Sequence, residues 1–180
     1  MKSLAKEVLR LIEGKQVGVL YHYTTLLSLL KIVASNTLGR GEKYDTVSVT
    51  RNKNFHKKNS IVPTEGVFVL DGNKLSNKYK IEPFAYTSKT AGFGYEKGKY
   101  WAIQDQQEEI INTPVIQPLK QYVKEIVLFE LDIDSLIFDE DFLQEASLIL
   151  GIQWDNIGMK DIISFIQKKG FSIRLVKDTL

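Results

Sequence analysis

The chain has 180 residues, 43% hydrophobic and 26% charged, which excludes a disordered polymer and lets it bury a core without cross-links. It has no cysteine and only two histidines, His22 and His56. That excludes a disulfide framework, a thiol nucleophile, cysteine-ligated zinc or iron–sulfur, and any multi-histidine metal site. The net charge is only +2, but residues 1–90 carry 15 Lys/Arg against 7 Asp/Glu while residues 91–180 carry 9 against 15. One side is therefore suited to an anionic ligand or nucleic acid.

In chain order, residues 2–13 place Leu4, Val8, Leu9, Leu11 and Ile12 at helical spacing before Gly14. Charges threaded through this stretch read as an amphipathic helix and not a signal peptide. No apolar run approaches the roughly 20 residues of a membrane span, so cytoplasmic residence without a membrane partner is the expectation. Val17–Tyr21 reads as a buried strand, and Thr24 or Thr25 as the cap of a helix over Leu26–Ser35. Thr46–Thr50 and Gly66–Leu70 are further strands, the second ended by Asp71-Gly72-Asn73 as a turn signal. Residues 76–106 read as loops with short strands. Glu108–Ile111 and Glu125–Leu131 are strands joined by a link containing Pro114 and Pro118. Helices over 140–150 and 159–169, the second capped by Gly170, precede a last strand, Phe171–Val176. About six short strands without regular βαβ alternation make this an α+β chain, and it is read as one domain over 1–180.

Three groups of residues carry chemistry. His22-Tyr23-Thr24 stands at the exit of a strand and the entry of a helix, beside helix N–H groups that favour anions. In Ser48-Val49-Thr50-Arg51, strand alternation sets both hydroxyls on one wall, followed by an arginine whose fork of donors suits phosphate. In Gln104–Ile111 two adjacent glutamates, Glu108 and Glu109, point to opposite faces, each with a glutamine two residues before it. No phosphate-binding GxxxxGK[ST], GxSxG elbow or HExxH occurs. The structural alternatives are a buried strand-end histidine, a solvent-facing arginine and a charged strand start.

In combination, the order and spacing of these groups resemble the ADP-ribosyltransferase superfamily. Residues 19–38 (VLYHYTTLLSLLKIVASNTL) look like the opening of DarT-type DNA ADP-ribosyltransferases. Residues 108–130 (EEIINTPVIQPLKQYVKEIVLFE) look like that family's glutamate strand and the strand after it. SVTRNKNF and VFVLDGNKLSNKYKIEPF are similar to phage and bacterial chains. The resemblance covers about a third of the chain. It departs from the polymerase branch in having His22-Tyr23-Thr24 where His-Gly-Thr is usual. It also has glutamine at the first position of the Glu-x-Glu that arginine-modifying toxins use.

The resemblance implies split mixed or antiparallel sheets flanked by helices, with NAD in the cleft between them and no metal. His22 would hold a ribose hydroxyl, with Tyr23 beside the nicotinamide amide and Thr24 near the adenosine. Ser48 and Thr50 would line the wall, and Arg51 would face the pyrophosphate. Tyr86, Phe93 or Tyr95 would stack on nicotinamide. Glu109, preferred to Glu108 because Ile110-Ile111 follow it, would be catalytic, and Gln107 would set the acceptor. The basic stretch 51–58, with Phe55, His56 and Lys57, would contact a nucleic-acid acceptor, which it favours over protein. The implied activity is mono-ADP-ribosyl transfer from NAD to a macromolecule, with an antitoxin or chaperone as a partner. The alternative is a non-catalytic nucleotide- or macromolecule-binding module on the same fold.

Overall fold

The computed structural model describes residues 18–40, 46–54, 65–83, 109–130, 136 and 139–177. A four-stranded mixed sheet organises them, in the order β1 (Val19–Thr24), β4 (Gly66–Asp71), β8 (Val123–Phe129), β9 (Ile173–Val176). The first three are antiparallel and β9 adds in parallel to β8. A second sheet has the order β3 (Val47–Val49), β6 (Glu109–Ile111), β5 (Ile81–Pro83), and a two-stranded pair joins β2 (Leu38–Gly39) to β7 (Val115–Ile116). Nine strands among the described residues replace the expected six or so. The extra ones are two- and three-residue pieces too short to show a period of two.

The large sheet is buried on both faces. Leu20, Phe68, Leu70, Ile126 and Leu128 join one apolar core with helices α1 (Leu26–Ser35), α3 (Glu140–Leu150) and α4 (Met159–Lys168). Val67, Val69, Val127 and Phe129 form a smaller cluster on the other face, with Tyr21 and Tyr23 packed on it. This explains why β4, a central strand, reads as an unbroken apolar run. The mixed α+β architecture with helices flanking a mixed sheet agrees with the expectation from sequence.

Helix α1 matches its sequence bounds, and Thr25 is its cap: Thr25 Oγ1 accepts from Ser28 N–H at 3.3 Å. Its far end stops at Asn36, held left-handed at φ 52°. The Asn36 carbonyl and amide oxygens accept from Leu119 and Lys120 N–H at 2.9 and 2.8 Å, tying α1 to the 3-10 turn Leu119–Tyr122. Gly170, at φ 81°, closes α4 as expected: its N–H bonds the Gln167 carbonyl and the Phe171 N–H that of Ile166, a Schellman pair.

Two sequence readings are corrected. The first strand is Val19–Thr24 and not Val17–Tyr21, so His22, Tyr23 and Thr24 lie inside it, paired with Phe68, Val67 and Gly66. Asp71-Gly72-Asn73 is not a turn but the start of a short helix, α2 (Gly72–Ser76), whose Lys74 N–H donates to Asp71 Oδ1 at 3.1 Å. Asp-Gly before a polar residue serves either purpose, because one carboxylate caps turns and helices alike. The helix over 2–13 lies outside the described residues. Among the described residues no helix is long and apolar enough to cross a membrane.

Gly66 sets the approach of α1 to the sheet. A Cβ there would come within 2.5 Å of Leu29 Cδ1 and 3.1 Å of Leu128 Cδ2, both side chains fully buried. Gly66→Val is expected to lower stability by about 1–3 kcal/mol through overpacking. The urea midpoint measures this, and an unchanged midpoint would mean that α1 shifts freely.

Candidate functional site

The candidate site lies where the two larger sheets meet. Tyr21 and Thr50 exchange backbone hydrogen bonds of 2.8 and 2.9 Å as an isolated antiparallel bridge, setting the end of β3 against the outer edge of β1. Continued in register, that ladder would next set Tyr23 opposite Ser48, but the bridge stands alone. There the His22 side chain reaches across, its Nδ1 2.8 Å from the Ser48 carbonyl oxygen. The sheets thus part at this point, with an imidazole spanning the opening.

A carbonyl oxygen only accepts, so His22 Nδ1 carries the proton. Burial pushes the imidazole pKa below its usual value, and the bond to Ser48 only partly opposes that. The ring is neutral near pH 7, and Nε2 is left as a hydrogen-bond acceptor. The ring lies tilted at 40° to that of Phe68, with the centres 6.3 Å apart.

Glu109 stands on the far side of β3, its backbone opposite Val49 on one side and Pro83 on the other. The strand β3 stands between its strand and that of His22. The structure therefore brings the His22, Ser48 and Glu109 positions into one region from three strands. Thr24 is on the same side of β1 as His22 and is half-buried at the α1 entry.

The other expected residues separate from this group. Tyr23 alternates with His22 and points to the opposite face, where it packs near Tyr21 at 6.4 Å and donates its hydroxyl to the Lys53 carbonyl at 2.6 Å. Burial raises the Tyr23 hydroxyl pKa strongly. Ser48 and Thr50 do not form a matched pair of hydroxyls: Ser48 is exposed, whereas Thr50 is buried and its Oγ1 accepts from Asn52 N–H at 3.0 Å. The strand ends at Val49, so the alternation that paired them does not extend to Thr50. Arg51 is exposed at the bend that follows. Phe55, His56, Lys57, Gln107, Glu108 and the aromatics Tyr86, Phe93 and Tyr95 lie outside the described residues.

A buried acid missing from the sequence reading changes the electrostatics. Glu65, just before β4, accepts from the Leu26 N–H at 2.8 Å through Oε2, and its carbonyl accepts from Phe129 N–H at 3.0 Å. The amino end of α1 is thus already served by the protein's own carboxylate and by Thr25. The expected anion seat on those N–H groups is filled from within. Among the described residues no group of three or more metal-ligating side chains comes together.

No family model, no curated protein and no solved structure matches this chain.

The anchored imidazole sets a pH dependence. Its folded pKa lies below the unfolded value near 6.5, so its share of stability is complete above that pH. It is lost as pH falls through the folded pKa. Nitrogen-15 NMR is expected to show His22 protonated at Nδ1 and titrating below 6.5; an Nε2-protonated ring, or titration at or above 6.5, would contradict the anchoring.

Proposed function

We propose that this protein is a mono-ADP-ribosyltransferase that uses NAD and modifies a macromolecular acceptor, with nucleic acid favoured over protein. The observation that carries the reading is the neutral imidazole of His22, fixed by Ser48 where β1 and β3 part, with Glu109 on the next strand beyond. That arrangement agrees with the resemblance of residues 19–38 and 108–130 to the ADP-ribosyltransferases and with a split-sheet cleft.

In this reading NAD lies in the opening between β1 and β3. His22 accepts a hydrogen bond from a ribose hydroxyl through Nε2, which its tautomer leaves available. The Glu109 carboxylate orients the ribose 2′-hydroxyl and opposes the positive charge that develops on the sugar as the nicotinamide–ribose bond breaks. Nicotinamide departs neutral with the bonding electron pair, and an acceptor nucleophile forms the new bond to the same carbon while losing its proton. A single placed group that stabilises developing charge is worth about 2.7–4 kcal/mol elsewhere. The chemistry needs neither thiol nor metal, which fits a chain without cysteine.

The diphosphate falls to Arg51 and its loop rather than to α1, because Glu65 and Thr25 already take the Leu26 and Ser28 N–H groups at that helix end. Tyr23 acts from the opposite face by holding the Lys53 backbone, and so the loop that carries Arg51, in position.

Glu109→Gln is expected to abolish nicotinamide release from NAD in the presence of cell extract while NAD binding survives. Nicotinamide is measured by chromatography and binding by calorimetry. A Glu109→Gln protein that still releases nicotinamide would refute the role. Saturable NAD binding without release by the unaltered protein would favour the non-catalytic module.

A further inference from the structure

We propose that a second surface, at the carboxyl end of α4 and the start of β8, binds the sugar–phosphate backbone of nucleic acid. The Lys120 side chain reaches the Lys168-Lys169-Gly170 segment, and Lys124 and Lys78 stand on the two segments that flank this crossing. The Lys120 side chain crosses from the 3-10 turn to Gly170, where a Cβ would run into its ammonium group. Lys168 and Lys169 immediately precede Gly170, and both are exposed. The Ile126 N–H donates to the Ser172 carbonyl at 2.8 Å, so the start of β8, with exposed Lys124, runs beside the same crossing. On the other side of the turn, Lys78 lies 5.2 Å from the centre of the Tyr79 ring, which meets Tyr122 edge-on at 5.9 Å.

None of these five ammonium groups meets a carboxylate among the described residues, whereas Lys31 and Arg174 are paired with Glu145 and Glu125. A group of cations that meets no carboxylate among the described residues, in a chain of net charge +2, is a surface for a polyanion. The aromatic rings at its edges, Tyr79 and Phe165, the latter 5.6 Å from Lys169 Nζ, favour nucleic acid over a lipid surface. Cations alone attract a protein to anionic lipid reversibly, and stable attachment adds apolar groups inserted beside them. Among the described residues the two most exposed large apolar side chains, Leu148 and Trp154, lie elsewhere, close in sequence to Asp141, Glu145 and Asp155.

Binding of a labelled single-stranded oligonucleotide, followed by anisotropy without NAD, tests this independently of the transferase reading. Log affinity is expected to fall with log salt at a slope of no more than about −3.5, which is five phosphate contacts at about −0.7 each. The triple variant Lys120→Gln, Lys124→Gln, Lys169→Gln is expected to bind at least tenfold more weakly, with a slope flatter by about 2 and an unchanged thermal midpoint. The pair Lys78→Gln and Lys168→Gln, which leaves the Gly170 crossing untouched, weakens binding in the same sense. Lys160→Gln, at the other end of α4, binds like the unaltered protein. Absence of binding at low salt, a triple variant that binds as well as the original, or an equal loss in Lys160→Gln would overturn the proposal. So would attachment to vesicles of phosphatidylcholine and phosphatidylserine without attachment to the oligonucleotide.

Discussion

The candidate site depends on one hydrogen bond, from His22 Nδ1 to the Ser48 carbonyl. It stands where a strand ladder would otherwise continue from the Tyr21–Thr50 pair, and it uses a side chain in place of the next backbone rung. Three consequences follow together. The sheets part without leaving the Ser48 carbonyl unsatisfied, the imidazole tautomer is fixed, and the remaining ring nitrogen becomes an acceptor. A histidine serves here because it donates on one side and accepts on the other. Lysine would only donate, and asparagine would be too short to span the opening in the same way.

The packing behind the site has a similar economy. Gly66 lets α1 come close to β4, and the neighbouring Glu65 carboxylate then reaches the first N–H of that helix. Glu65 also accepts from Phe129 through its backbone, so the helix start, β4 and β8 share one residue. The entry of α1, next to Thr24, is thereby held from within by the Glu65 side chain.

Much of the frame was legible in the chain itself. The bounds of α1 and α3 agree with those read from the chain, Thr25 is one of the two caps expected for α1, and Gly170 marks the end of α4. What stayed hidden depends on contacts between distant positions. The fact that Glu65 caps a helix 39 positions earlier leaves no local signature. The two-residue strands β2 and β7 exist only through each other. His22 and Tyr23 are neighbours in sequence, and only the true extent of β1 shows that they face opposite ways. The Ser48–Thr50 pairing failed for the same reason, because alternation stops where the strand does. The lysine surface gathers residues 78, 120, 124, 168 and 169, no two of which except the last pair are adjacent.

In the proposed function NAD binds in the opening between β1 and β3. Amide chemical shifts recorded while NAD is titrated into the unaltered protein test it most directly. Saturable changes are expected to concentrate at residues 22–24 and 48–51. An unchanged spectrum at millimolar NAD, or changes confined to residues remote from both strands, would contradict it.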